Sequence, residues 1–184
     1  MQSKIASREH GFTLIELMIA MLLGLVILGG VLTIYSSISH TNVIKTRFDS
    51  AQESIRYSHY VITRLVHNAN SFAGSSSSSL VIGYPGDITQ VDDCQGSSLG
   101  PSSQTRFDAE NGRLRCDDED IALSIKNAEF EYGVIDDSTG QWKQTSLANA
   151  SSVKVILTVQ PHADFAERKL SFIATMRNPI LEKG

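Results

Sequence analysis

From Phe12 to Ile34 the chain is apolar at nearly every position, and one charge, Glu16, interrupts it. These 23 residues, as a helix rising about 1.5 Å per residue, are enough to cross the ~30 Å hydrocarbon core of a bilayer. Past Ile34 the unbroken run gives way to a helical period: Ile44, Phe48, Ala51, Ile55, Ile62, Leu65 or Val66, and Ala69 recur every three, four or seven residues. Such a stripe packs on a sheet. Lys45 with Asp49, and Glu53 with Arg56, support the wet side at helical spacing. No Pro intervenes, so a single helix is predicted from Thr13 to about Asn70, with Gly29-Gly30 as the place where bending is cheapest.

The period then changes. Phe72-Ala73-Gly74 and the serines Ser75 to Ser79 read as a flexible exit from the helix. Strands are predicted at Leu80–Tyr84, Thr105–Ala109, Gly112–Cys116, Ala122–Ile125, Glu129–Ile135, Val153–Gln160 and Leu170–Met176. Asn111-Gly112 is the strongest hairpin-turn signal. Pro161 closes the strongest strand, and Pro179 lies beyond the last. The resulting fold class is α+β: a long amino-terminal helix, half of it membrane-spanning and half amphipathic, laid on an antiparallel β-sheet. The 110 residues after Gly74 suffice for one modest core.

A leader of eleven residues, Met1 to Gly11, precedes the apolar run and carries Lys4 and Arg8 beside Glu9 and His10. Positive charge on that side sets the leader in the cytoplasm and everything after Ile34 outside. A secretory signal peptide requires a small-residue cleavage site after its apolar segment, for which Tyr35-Ser36-Ser37-Ile38-Ser39-His40 is a poor candidate. An uncleaved anchor is the simpler alternative, but it gives no use to Glu16, which costs about 2.5 kcal/mol or more to bury in lipid.

The run Gly11-Phe12-Thr13-Leu14-Ile15-Glu16-Leu17-Met18 resembles the class III signal of type IV pilins and of the pseudopilins of type II secretion. The resemblance implies that a prepilin peptidase cuts between Gly11 and Phe12, that Phe12 becomes the N-methylated first residue, and that Glu16 becomes the fifth. In a filament with apolar stems at its core, the amino group of a neighbouring Phe12 would pair with Glu16 and set the axial register. The stem from Phe12 to Val31 is similar to that of PilW-type minor pilins, with Gly29-Gly30 where major pilins usually have a later proline. Val153 to Leu157 and Phe172 to Asn178 resemble the closing strands of the same group; residues 75 to 150 do not. The implied organisation is a leader at 1–11, a membrane or filament-core helix at 12–34, its amphipathic continuation at 35–73, and a β-rich domain at 74–184.

The formal charge is −4, and loss of Lys4, Arg8 and Glu9 with the leader leaves 14 basic and 19 acidic side chains, or −5. This balance opposes a broad nucleic-acid surface. Cys94 and Cys116, the only cysteines, are expected to pair in an oxidising compartment. Asp117, Asp118, Glu119 and Asp120 read as a solvated acidic turn, with Ca²⁺ as the alternative, although their spacing departs from the known calcium loop. Arg106, Arg113 and Arg115 form a candidate basic patch along the hairpin, the one local feature that would suit DNA. His40, His59 and His67 lack a completing ligand set, and Trp142 reads as a sheet-edge or interface aromatic. No catalytic motif occurs, so no enzymatic activity and no cofactor are expected.

Three readings of function follow. The first is a structural minor pilin that initiates or caps a type IV pilus. The second is a minor pseudopilin of a type II secretion system, and the third a tip module that binds DNA or a surface. The resemblance implies as partners the prepilin peptidase, other minor and major pilins, and the inner-membrane assembly platform. Inner-membrane lipid surrounds the stem before assembly, and the β-rich domain faces the periplasm.

Overall fold

The computed structural model describes residues 11–86, 91–100 and 102–177. Residues 1–10 of the expected leader, Asn178 and Pro179 lie outside the described residues. Among the described residues one α-helix, α1 (Leu14–His67), is followed by eight strands, with a single 3-10 turn (Leu147–Asn149) before the seventh: β1 (Ser79–Gly83), β2 (Gln104–Glu110), β3 (Arg113–Cys116), β4 (Glu119–Leu123), β5 (Ile125–Ile135), β6 (Trp142–Gln144), β7 (Ser152–Val159) and β8 (Arg168–Thr175). The chain forms two compact units, residues 1–45 and 46–184.

In the first unit α1 runs unbroken through Gly29-Gly30. Thr33 directs its hydroxyl to the carbonyl of Gly29 at 3.0 Å, which satisfies the one hydroxyl of the apolar run that lies inside the helix. An 18-residue window of this helix has mean hydropathy 2.7, and none of it is buried. So large an apolar surface requires a nonaqueous neighbour, lipid or protein.

In the second unit the remainder of α1 buries Ala51, Val61, Ile62, Leu65 and Val66 in a core shared with two four-stranded antiparallel sheets. Their orders are β1-β2-β3-β4 and β6-β5-β7-β8. Leu80 and Ile82 of β1, Phe107 of β2 and Leu114 of β3 are fully buried. Val153, Val155 and Leu157 line the same core from β7, opposite Tyr132, Phe130 and Ala128 of β5. Each fully buried Val, Leu, Ile or Phe among them contributes about 1.5–3 kcal/mol. Alternate positions of these two strands carry Glu129, Glu131 and Lys154, with Lys154 donating to Glu131 at 3.0 Å on the wetter face.

The predicted helix-on-sheet architecture is present, with differences at the joints. The helix ends at His67, and Asn68 and Ala69 close it through tight turns onto Leu65 and Val66. The strand expected at Ala122–Ile125 is two: Ser124, at φ +63°, turns the chain between β4 and β5. β5 therefore begins four residues before the expected Glu129, because Ile125 and Ala128 are both buried despite the polar Lys126-Asn127 between them. β6 was not expected. It is only three residues long and pairs with Gly133 to Ile135 across a turn organised by Asp136, whose carboxylate accepts the amides of Ser138 and Thr139. The hairpin at Asn111-Gly112 forms as predicted, with φ +52° and +77°, joining Glu110 to Arg113.

Candidate functional site

Gly11, Phe12 and Thr13 precede the first helical turn and are exposed, Phe12 at 83%. The bond expected to be cut thus lies in non-helical backbone just before the apolar run. Thr13 marks the boundary. Its hydroxyl accepts the amide of Glu16 at 3.3 Å, and its carbonyl accepts the amides of Glu16 and Leu17 at 3.1 and 3.2 Å. This satisfies one of the orphan donors that every helix start carries. Thr13-Leu14-Ile15-Glu16 has the Ser/Thr-x-x-Glu spacing of a capping box, a signal present in the sequence that the reading of Glu16 alone passed over. Glu16 is exposed in the first turn, where its charge also complements the positive end of the helix dipole. Helix capping and subunit pairing are compatible, since a carboxylate has several acceptor positions.

Cys94 and Cys116 form a disulfide with a Cα–Cα distance of 6.4 Å, and both are buried. The bridge ties the loop before β2 to the end of β3. Arg64, near the end of α1, reinforces it by donating to the carbonyls of Asp92 and Asp93 at 3.0 and 2.8 Å. Sequence patterning gave no sign of this arginine, since its role depends on a loop 28 residues away.

The acidic cluster is divided among donors. Asp117 accepts the Arg106 amide at 2.7 Å, Asp118 pairs with Arg115 at 2.7 Å, and Asp120 pairs with Arg113. These three carboxylates each serve a different donor, and Glu119 stands with Asp120 at the start of β4. Asp117 sits beside the disulfide sulfurs. Partial desolvation there raises its carboxyl above the ordinary range, against the opposing effect of the Arg106 amide, and Asp93 and Asp118 add to the rise. The three candidate arginines are likewise engaged: Arg106 with Asp108 at 3.2 Å, Arg113 with Asp120, and Arg115 with Glu110 and Asp118. Three guanidiniums meeting four carboxylates leave that hairpin without excess positive charge.

His59 stacks edge-on against Phe172, with centroids 4.7 Å apart. Trp142 lies on the edge strand β6, its ring against Gly133 and the Lys154 ammonium 5.4 Å from its centroid. A groove of about 660 Å³ runs beside Ser76, Ser77, Ser78, Glu129, Glu131 and Gln144. Its hydroxyls, amide and carboxylates offer hydrogen bonding without a nucleophile paired to a base.

Residues 6–32 match the family model for the prokaryotic N-terminal methylation motif. No curated protein and no solved structure matches the chain. The matched segment holds the Gly11–Phe12 bond, the Thr13 cap, Glu16 and most of the apolar helix. The chain therefore carries a type IV pilin-like prepilin signal on a helix-and-sheet body, as a pilin- or pseudopilin-like precursor does. That motif implies processing by prepilin peptidase and assembly with other pilin-type subunits, and with the apolar helix it fits a single-pass inner-membrane anchor.

Proposed function

We propose that this protein is a minor pilin of PilW type that helps initiate or cap a type IV pilus. Prepilin peptidase removes residues 1–11, Phe12 is N-methylated, and the freed stem leaves the membrane for the filament core. The β-rich domain remains outside, first in the periplasm and then on the pilus near its tip. The observation that carries this reading is the junction at Gly11 to Glu16. An exposed, non-helical glycine bond leads into the apolar first part of α1, whose most apolar 18-residue window is not buried at all and whose first turn holds one carboxylate. An ordinary anchor needs neither feature.

The test is to tag the chain at its carboxyl end in its own host and shear surface filaments from the cells. Mass spectrometry of the filament fraction should find the tagged chain beginning at N-methyl-Phe12, at low copy beside a major pilin. Filaments of normal number that lack the protein, together with loss of secreted enzymes on deletion, would assign it to a secretion pseudopilus.

A further inference from the structure

The strand order leaves β1, β4, β6 and β8 at the sheet edges, and the chain protects the first three itself. Along β1, the Val81 amide donates to Ser75 Oγ and the Val81 carbonyl accepts from the same hydroxyl, both at 2.9 Å. The Gly83 amide donates to the Ser71 carbonyl, and the Gly83 carbonyl accepts from the Asn70 amide. β4 opens on Glu119 and Asp120, and its Leu123 amide donates to Ser54 Oγ of α1 at 3.2 Å. β6 is only three residues long. Cover, charge and shortness each keep an edge from pairing with a foreign strand. β8 is different. It runs for eight residues, is charged only at Arg168 and Lys169, and leaves Leu170 40% and Ile173 43% exposed.

Register shows which backbone groups this edge offers. The Met176 amide donates to the Ser151 carbonyl at 2.9 Å, and Thr175 stands opposite Ser152. By antiparallel alternation, Leu170, Phe172 and Ala174 then bond to β7, while Lys169, Ser171 and Ile173 turn their N–H and C=O away from it. None of these outward backbone groups has a hydrogen-bond partner among the described residues. Beside the same edge lies a hollow of about 380 Å³, between Arg168 and Leu170 of β8, Phe48 and Ile55 of α1, Val159 and Phe165. Phe165 meets Phe48 edge-on, with centroids 4.9 Å apart. The exposed Arg168 guanidinium has no ion pair among the described residues, whereas Glu167 pairs with Lys126 and Lys169 with Glu129.

We propose that β8 takes an added strand from a partner pilin-type subunit, with an apolar side chain in the hollow beside Leu170 and a carboxylate on Arg168. An extended chain offers donors and acceptors at strand spacing and places alternate side chains on one face. Arg168 and Leu170 are themselves alternate residues of β8, so the partner's carboxylate and apolar side chain are separated by a single residue. A second copy of this chain fits less well, since its β8 holds no acidic residue to meet Arg168. The partner's identity rests on the assembly role proposed above; the open edge does not.

Amide hydrogen exchange tests this on the full chain in detergent micelles. The probe is a short synthetic strand peptide with a glutamate and a leucine separated by one residue. With saturating peptide the amides of Lys169, Ser171 and Ile173 should exchange about tenfold more slowly. Those of Leu170 and Phe172, already bonded to β7, should not change, and in each variant they report that the sheet is intact. Arg168→Glu should abolish the added protection, and a peptide with lysine in place of the glutamate should restore it. No selective protection, or protection indifferent to this charge exchange, overturns the proposal. So does protection that rises with protein concentration in the absence of peptide, since the occupant is then a second copy. In the host, Arg168→Glu should lower recovery of the chain from sheared filaments severalfold against wild type, at an unchanged membrane pool. Recovery equal to wild type overturns the assignment of the edge to a partner subunit. The peptide assay reads the edge whether or not the chain enters filaments, so its failure is distinct from failure of the pilin role.

Discussion

At residue scale, two single side chains give opposite kinds of test. Among the described residues, chain neighbours aside, nothing lies within 4 Å of a Cβ built on Gly11. Gly11→Ala is therefore neutral for this protein's own packing, and any effect must arise in the peptidase, which has to fit the residue at the cut. The expected outcome is full-length chain retained in the inner membrane, read as an unprocessed band at unchanged total level. Asp117 tests local electrostatics instead. Its folded carboxyl titrates above its unfolded one, so between those two values the folded state binds more protons. Stability then falls as pH rises through that window and stays lower at neutral pH. Asn keeps the oxygen that accepts the Arg106 amide, and it tolerates the φ of +48° at this position. Asp117→Asn should therefore raise the urea midpoint at pH 7. The gain should vanish near about pH 3, where the wild-type carboxyl is protonated in both states.

At the scale of elements, what could be read in the sequence followed the strength of its periodicity. The stem, the stripe from Ala51 to Val66 and the buried alternation of Val153, Val155 and Leu157 stand where their spacing places them, whereas Ala69 lies past the helix end. β6 and the early start of β5 escaped because pairing partners made them strands: Trp142-Lys143-Gln144 alone carries no period, and Lys126-Asn127 reads as a turn. The capping role of Thr13 was legible in principle, whereas that of Arg64 depends on contacts that only the fold creates. Gly133 is a further case. A Cβ there would stand 2.5 Å from both the Lys143 carbonyl oxygen and the Trp142 ring, so the edge strand lies directly on bare backbone. Gly133→Ala should cost about 1–3 kcal/mol, seen as a lower midpoint when Trp142 fluorescence follows unfolding. The disulfide holds the least periodic segment of the domain. With a sequence separation of 22, chain entropy assigns it about 3 kcal/mol. Cys94→Ser with Cys116→Ser should lower stability by roughly that amount and open the loop between them to limited proteolysis. Equal protease resistance in the double variant would show that Arg64 alone seats the loop.

At the scale of the whole molecule, the stem and the domain answer to different surroundings, and Glu16 is where the two demands separate. In the membrane its carboxylate is a burden of about 2.5 kcal/mol or more near mid-bilayer, less toward the helix end where it sits. Glu16→Leu should therefore leave insertion intact or improve it, with full-length and processed chains at wild-type membrane levels. In a filament the same residue is expected to meet the methylated amino group of a neighbouring Phe12. Removing one partner of such a buried pair costs more than the intact pair contributes, about 3–5 kcal/mol, because the other charge is left without an answer. The expected result is a large drop in pilus number, or in recovery of this protein from sheared filaments, against an unchanged membrane pool. Glu16→Gln separates pairing from helix capping. Glutamine keeps a side-chain oxygen at the position the capping-box spacing uses, but it carries no charge to neutralise an ammonium. If capping were its whole contribution, Gln would restore assembly and Leu would not. If pairing dominates, both variants fail alike while the helix remains intact by circular dichroism. Normal recovery of both variants would remove Glu16 from the assembly mechanism and place this subunit where no neighbouring amino terminus reaches it.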